Sequence, residues 1–244
     1  MSIRITAATA RRVLTQLVHD RRTLVLLLLV PSILMILLRY VFDSEAIFDR
    51  IAPPLLGVFP FITMFLVTSV AMLRERTTGT LERLLTTPMA KLDLLLGYGV
   101  AFAITAAVQA AVTCATAYWL LGLETAGSPG LVVAVAVGNA LLGMALGLFV
   151  SAFARSEFQA VQFMPAVVLP QLLLCGLFAA RDTMAGWLEA VSNVLPLSYA
   201  VEALQEVQRS AEVTDTLLRD MGIVLGSATA ALVLAAATLR RRSG

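Results

Sequence analysis

Residues 74–88, RERTTGTLERLLTTP, separate two apolar runs that are each long enough to cross a membrane. The stretch 74–93 carries seven charged side chains, namely Arg74, Glu75, Arg76, Glu82, Arg83, Lys91 and Asp93. One charge at the centre of a bilayer costs about 2.5–3.5 kcal/mol, so seven would cost on the order of 20 kcal/mol. Residues 74–93 are therefore predicted to lie outside the hydrocarbon, between two membrane-spanning helices.

The composition of the whole chain supports a membrane protein. Of the 244 residues, 59% are hydrophobic and only 14% are charged, whereas about 25% are charged in a typical soluble domain. A helix needs about 20 apolar residues to cross the hydrocarbon. The runs that meet this requirement are 23–42, 51–73, 94–123, 131–153, 158–179 and 221–239. The sequence predicts an all-α membrane protein with six transmembrane helices in one domain, residues 1–244.

The distribution of basic residues predicts the orientation. If the N-terminus is cytoplasmic, 13 of the 18 Lys and Arg residues lie in inner segments, and 11 of the 16 acidic residues lie in outer segments. Lys and Arg are enriched in cytoplasmic segments of membrane proteins. We therefore expect a multi-pass protein with both termini in the cytoplasm.

Two further segments are amphipathic, and their apolar stretches are too short to cross the membrane. Residues 1–22 alternate arginines with apolar side chains, as in a helix that lies on the inner membrane face. In residues 180–218 the longest stretch without a charge is 190–201, which is too short to span. Pro196 divides this segment into two short helices, predicted to dip into the outer leaflet as a re-entrant element or to cap the bundle. Trp187 suits a membrane interface.

Polar side chains within the spans need partners, because lipid offers none. The amides concerned are Gln109, Asn139, Gln159, Gln162 and Gln171. They either make hydrogen bonds between helices or line a substrate pathway. The glycine pairs 143/147 and 222/226 permit close helix approach, within one chain or between two chains. Ser156 with Gln159 fits a capping box at the start of the fifth span.

Motifs for catalysis are missing from this sequence. It contains no GxxxxGK[ST] phosphate loop and no GxSxG motif, and a single histidine excludes HExxH. The two cysteines suggest buried apolar residues, and no metal site is expected. Asp220 is interpreted as an interfacial residue at the start of the sixth helix. Any ATP hydrolysis that drives this protein is expected on another chain, and no nucleic-acid partner is expected.

Within the charged stretch, Leu81, Leu84 and Leu85 share one helical face. Gly79 precedes this turn and Pro88 ends it. An apolar ridge between charged flanks is suited to docking in a protein groove. The same leucines could instead lie on the membrane surface while the charges are solvated, and periodicity alone does not decide between these interpretations.

The sequence also resembles a known family. RERTTGTLERLLTTPMAKLDLLLGYGVAF looks like the cytoplasmic segment of ABC transporter type-2 permeases, the membrane subunits of exporters. GWLEAVSNVLPLSYAVEAL is similar to the extracellular element of that family between the fifth and sixth spans, including Leu195, Pro196, Leu197 and Tyr199. The two stretches cover about a fifth of the chain.

This resemblance implies a partner and roles for particular residues. It implies a dimer of permeases, expected to be a homodimer of this chain, bound to two cytoplasmic ATP-binding subunits that hold ATP and magnesium. Residues 1–22 would be the connecting helix, and the coupling element would comprise Arg74, Glu75, Arg76, Gly79, Thr80, Leu81, Glu82, Arg83, Leu84 and Leu85. Bacterial drug and antibiotic exporters are the most similar members, which implies the bacterial cytoplasmic membrane.

Other functions remain open at this point. A related permease could export a lipid or a glycan. An ion-coupled transporter or channel would need ionisable groups in the spans, and few are present. A membrane-embedded lipid enzyme would need a nucleophile and a base, and no such pair is recognisable.

Overall fold

A computed structural model describes residues 3–78 and 91–238, which form nine α-helices. The helices are α1 (Ile3–His19), α2 (Arg21–Phe42), α3 (Glu45–Thr77), α4 (Lys91–Ala115), α5 (Pro129–Val150), α6 (Glu157–Leu174), α7 (Gly186–Ser192), α8 (Pro196–Arg209) and α9 (Asp215–Thr238). A π-helical turn, Thr116–Leu120, continues α4, and a short 3₁₀ turn, Arg181–Thr183, precedes α7. Within the described part of the chain there is no β-strand.

Six helices, α2 to α6 and α9, are long and apolar enough to cross a membrane. This confirms the predicted all-α membrane protein with six spans. Their ends meet at two faces, which we name by their short helices. The α1 end contains α1, the start of α2 and the end of α3, and the α8 end contains α7, α8 and the start of α9.

Helices α3 and α5 form the centre of the bundle. Gly143 and Gly147 of α5 lie directly on the α3 backbone, where a Cβ at Gly143 would overlap the carbonyl group of Phe61. This glycine pair therefore serves packing within the chain. Gly222 and Gly226 differ, because a Cβ at either position would meet no atom within 4 Å.

Local sequence accounts for several helix ends. The Asp20 carboxylate accepts hydrogen bonds from the Thr23 hydroxyl and backbone N–H, which caps α2 and lowers the pKa of that carboxyl. Ser156 caps α6 by accepting from the Gln159 N–H, as predicted. The Gln159 Oε1 accepts from the backbone N–H of Arg155, one residue before the cap. Gly176, with a φ of 88°, follows the end of α6.

Helix boundaries differ from the apolar runs in two places. Helix α3 begins at Glu45, six residues before the predicted span, and at about 1.5 Å per residue it is about 50 Å long, so it extends beyond the hydrocarbon. Helix α9 begins at Asp215, so the interpretation of Asp220 as a helix-start residue is wrong. Asp220 lies in the second turn of α9 and is fully buried. Charged residues continue a helix outside the hydrocarbon, and hydropathy does not detect that extension.

The short helices pack onto the spans. Helix α1 lies against α4, where Thr9 contacts the backbone at Gly97 and Val13 is buried. Helix α8 begins with Pro196 at its first turn and buries Leu197, Val201 and Leu204 among the spans. The division of residues 180–218 into two helices at this proline agrees with the sequence.

Candidate functional site

The last turn of α3 brings the charges of the predicted coupling element to the α1 end. Arg74, Glu75 and Arg76 all belong to α3, which ends at Thr77. The other predicted coupling residues, Gly79, Thr80, Leu81, Glu82, Arg83, Leu84 and Leu85, lie outside the described residues. The described part of the element is therefore the end of α3, which precedes residues 79–90.

Arg12 connects three helices at this end. Its Nη2 lies 3.3 Å from Oε1 of Glu75 and donates a 2.7 Å hydrogen bond to the Tyr98 hydroxyl. The Glu75 side chain is only 12% exposed, and Tyr98 is buried. Ion pairs and hydrogen bonds with such limited solvent access are stronger than those on an open surface. The contacts tie α1 to the end of α3 and to the start of α4.

Arg74 makes a separate link from α3 to α6. Its Nε and Nη2 donate to the two carboxylate oxygens of Glu157 at 2.7 and 3.0 Å. Both side chains are more than half exposed, so this bidentate pair contributes little to stability. It nevertheless fixes the direction of both side chains, because a guanidinium fork matches a carboxylate.

Two polar atoms of this region lack hydrogen-bond partners among the described residues. They are the Oε2 atom of Glu75 and the Nε atom of Arg76, and both are buried. A buried polar atom without a partner is costly. These atoms mark places where another molecule or another segment would gain interactions.

A cavity of about 550 Å³ opens beside this cluster, between α1, α2, α3 and α4. One part is lined by Asp20, Arg74, Glu75 and other polar groups. The other part is apolar and includes Leu66, Val70 and Phe102. We call it the α1-end cavity.

The α8 end contains a second charge cluster. Glu202 of α8 accepts from Arg181 at 2.7 Å and from Arg219 at 3.2 Å. Arg219 also lies 2.7 Å from Oδ1 of buried Asp220. Arg181 in addition donates to Asn193 and lies over the Tyr199 ring, 5.2 Å from its centroid. A cavity of about 760 Å³ borders this cluster and is lined mainly by polar side chains.

The predicted residues of the extracellular element occupy different environments at the α8 end. Trp187 is exposed, whereas Leu197 is fully buried. Leu195 is the N-cap residue of α8, and Pro196 begins the helix. The Tyr199 hydroxyl donates to the Asn193 carbonyl and so joins α8 to the end of α7.

The five predicted amides do not form one group. Gln109 of α4 donates to the Thr63 hydroxyl of α3 at 2.5 Å, which is a contact between helices. Asn139 is fully buried beside Gly57, and neither of its amide atoms has a partner in the described chain. Gln171 donates to the Val167 carbonyl of its own helix. Gln159 serves the cap of α6, and Gln162 is exposed.

Sequence reasoning missed several of the paired residues. Arg12 was placed in a helix on the inner membrane face without a protein partner, and no role was assigned to Tyr98, Glu157, Arg181 or Glu202. One signal was available: Glu157 is one of only five acidic residues in the predicted inner segments, which together hold 13 basic residues. Such an exception suggests an ion pair, but it does not identify the partner.

Comparison with known proteins identifies the family. The model of the ABC-2 type transporter family matches residues 5–208, which is most of the chain. The chain belongs to the ABC-2 type transporter family. Both stretches that carried the resemblance lie within the matched residues.

Curated relatives of this ABC-2 protein are identical to it at about a quarter of the aligned positions. It is 27% identical over 157 residues to the probable multidrug ABC transporter permease YbhR of Escherichia coli, and 25% identical over 206 residues to YbhS of the same organism. It is 27% identical over 165 residues to the linearmycin resistance permease protein LnrN of Bacillus subtilis.

The alignments cover a larger share of this chain than of its relatives. They include 64%, 84% and 67% of this chain, but 43%, 55% and 42% of YbhR, YbhS and LnrN respectively. The chain therefore spans about half the length of these relatives.

Proposed function

We propose that this chain is the membrane-spanning permease subunit of an ATP-driven exporter. The observation that carries this proposal is the family match over residues 5–208. In this proposal ATP and magnesium bind a separate cytoplasmic ATP-binding subunit, and two copies of the permease form the transport unit. The membrane is the bacterial cytoplasmic membrane, with the α1 end facing the cytoplasm.

The proposed coupling path begins at residues 74–85 and passes through Glu75. An ATP-binding subunit that moves the segment after Thr77 would move the end of α3. Arg12 would carry this movement to α1, and Arg74 would carry it to Glu157 of α6. Coupling requires that the nucleotide state and the bundle conformation share a free energy, and these ion pairs are contacts through which they can share it.

The proposed substrate is a hydrophobic or amphipathic small molecule such as a drug or antibiotic. Support comes from the relatives, which are named as multidrug and linearmycin resistance permeases. A lipid or a glycan is the competing cargo. Transport of a panel from each class into inverted membrane vesicles distinguishes them.

The coupling proposal is tested by charge exchange. We expect Arg12→Glu and Glu75→Arg each to reduce ATP-dependent transport by the reconstituted complex by at least about tenfold, since each places like charges together. The double variant restores an ion pair with its polarity reversed, and we expect it to recover a substantial part of the activity. Glu212→Gln, on an exposed loop at the α8 end, is the control.

Two results would contradict this path. One is normal transport by both single variants, and the other is a double variant no better than the worse single one. Leu84→Asp tests the segment beyond Thr77 separately, by loss of co-purification with the ATP-binding subunit.

An ion-coupled transporter is the second candidate, and Asp220 favours it. The side chain is fully buried in a spanning helix, and its Oδ2 has no partner in the described chain. Intramembrane carboxylates of this kind occur in proton pathways. This candidate predicts transport without an ATP-binding subunit, abolished by a protonophore and by Asp220→Asn. ATP-dependent transport that survives the protonophore excludes it.

A further inference from the structure

The α1-end cavity has the polarity of an amphiphile-binding site. Its polar part is formed by Asp20 at the start of α2 and by Arg74 and Glu75 at the end of α3. Its apolar part includes Leu66 and Phe102. Leu66 and Glu75 are nine residues apart on α3, which is about 14 Å along the helix. The cavity therefore matches a molecule with one charged group and an apolar body of that length.

The charges in the cavity wall favour a cation. Arg74 lines the cavity, but Glu157 engages its guanidinium through two hydrogen bonds. Asp20 forms no ion pair within 4 Å in the described ranges; Thr23 donates hydrogen bonds to its carboxylate, and Arg74 interacts with it only at longer Coulombic range. Arg21 and Arg22 follow it in sequence, but they are exposed and do not line the cavity.

Glu75 supplies the specific acceptor. Arg12 occupies its Oε1, whereas Oε2 is buried and has no hydrogen-bond partner in the part of the chain that the structure describes. A ligand with an N–H donor on a positive charge would satisfy this oxygen. Such a charge-assisted hydrogen bond is stronger than one between neutral groups.

We propose that the α1-end cavity binds a lipophilic cation, a small molecule with a protonated or N–H-bearing cationic group on an apolar body. The cationic group lies at Glu75 and Asp20, and the apolar body lies against Leu66, Val70 and Phe102. This inference rests on the proposed export function for its biological role, because the cavity would then receive substrate from the membrane.

Binding to the permease alone tests the inference without ATP or transport. The protein is placed in phosphatidylcholine nanodiscs, and the fluorescence polarisation of the lipophilic cation rhodamine 6G is measured against empty nanodiscs. We expect saturable binding to the unmodified chain. Glu75→Gln should weaken it at least about tenfold, because a hydrogen bond to a charged group is lost.

A second variant keeps the test valid if Glu75→Gln disturbs folding. Ala71→Leu adds volume to the cavity wall and leaves both carboxylates in place. We expect it to weaken rhodamine 6G binding to a similar extent. The control is Glu212→Gln, an exposed residue far from the cavity in sequence, which should bind like the unmodified chain.

Three results would overturn the inference. They are no saturable binding, affinities unchanged in both cavity variants, and loss of dye binding when phosphatidylethanolamine replaces part of the phosphatidylcholine. The last result would identify an aminophospholipid as the occupant. Each leaves the proposed export function intact if ATP-dependent transport persists, whereas dye binding without ATP-dependent transport would contradict the export function alone.

Discussion

Ion pairs at the α1 end join residues that are far apart in sequence, whereas those at the α8 end join near neighbours. The Arg74–Glu157 pair spans 83 residues, and Arg12 pairs with Glu75, which lies 63 residues further along the chain. At the α8 end, Arg181 and Arg219 reach Glu202 across 21 and 17 residues. The α1-end ion pairs therefore connect helices that are distant in sequence, while the α8-end ion pairs connect successive elements between residues 181 and 219.

The cavities at the two ends also differ in the polarity of their walls. The α1-end cavity combines an apolar part with a few charges, and the cavity at the α8 end is mainly polar. An end that connects several helices is suited to transmitting movement, and an end with local pairs is suited to staying closed as a unit.

The largest effect on folding is expected at the contact between α3 and α5, the two central helices that join the α1 end to the α8 end. Gly143→Leu forces a side chain into the α3 backbone at Phe61, which cannot move aside without separating α3 from α5. Overpacking of this kind costs about 1–3 kcal/mol or more. We expect loss of monodisperse protein in size-exclusion chromatography.

Gly222→Leu is the matched control, since a Cβ there meets no atom within 4 Å. It should purify as the unmodified chain does. Equal behaviour of the two variants would show that α3 and α5 do not form the rigid centre that joins the ends.

An intermediate effect is expected at the α8 end. Arg181→Gln removes the contact to Glu202 from a side chain that is only 19% exposed, and leaves that carboxylate with one partner fewer. Losing a hydrogen bond between charged groups costs about 1.5–3 kcal/mol. We expect a lower Tm in a thermal-shift measurement and little change in ATP dependence.

Arg209→Gln provides the comparison, because Arg209 is exposed and forms no ion pair in the described chain. Its Tm should stay near that of the unmodified protein. If Arg181→Gln instead abolished coupling without lowering Tm, the α8 end would be part of the transmission.

The smallest stability effect is expected for the Arg74–Glu157 pair. Both side chains are more than half exposed, and pairs of this kind contribute about 0–1 kcal/mol. A double-mutant cycle with Arg74→Gln and Glu157→Gln should give a coupling free energy below about 1 kcal/mol, falling further with added salt. A value above about 2 kcal/mol would mean that the pair is shielded from water.

Much of the architecture follows from local sequence. The six spans, the division at Pro196 and the Ser156 cap were all predictable, because each depends on residues that are close along the chain. The early start of α3 at Glu45 and the burial of Asp220 were not predictable. The start of α3 lies in a charged segment that hydropathy does not detect, and the burial of Asp220 depends on helices that pack over it.

In the candidate site, too, some features follow from local sequence and others depend on how the helices pack. Composition placed Arg74, Glu75 and Arg76 outside the hydrocarbon, because charge is costly there. No local pattern indicates that Arg12 meets Glu75 and Tyr98, or that Gln109 meets Thr63 while Asn139 finds no described partner.

From the sequence alone, six apolar segments are expected to leave water, and the charged stretch between the second and third is expected to stay in it. The tertiary structure alone decided which charges meet, and it formed the α1-end cavity beside Glu75. The physical reason is distance. The free energy of transferring a side chain depends on that residue, whereas an ion pair or a cavity depends on helices brought together by packing.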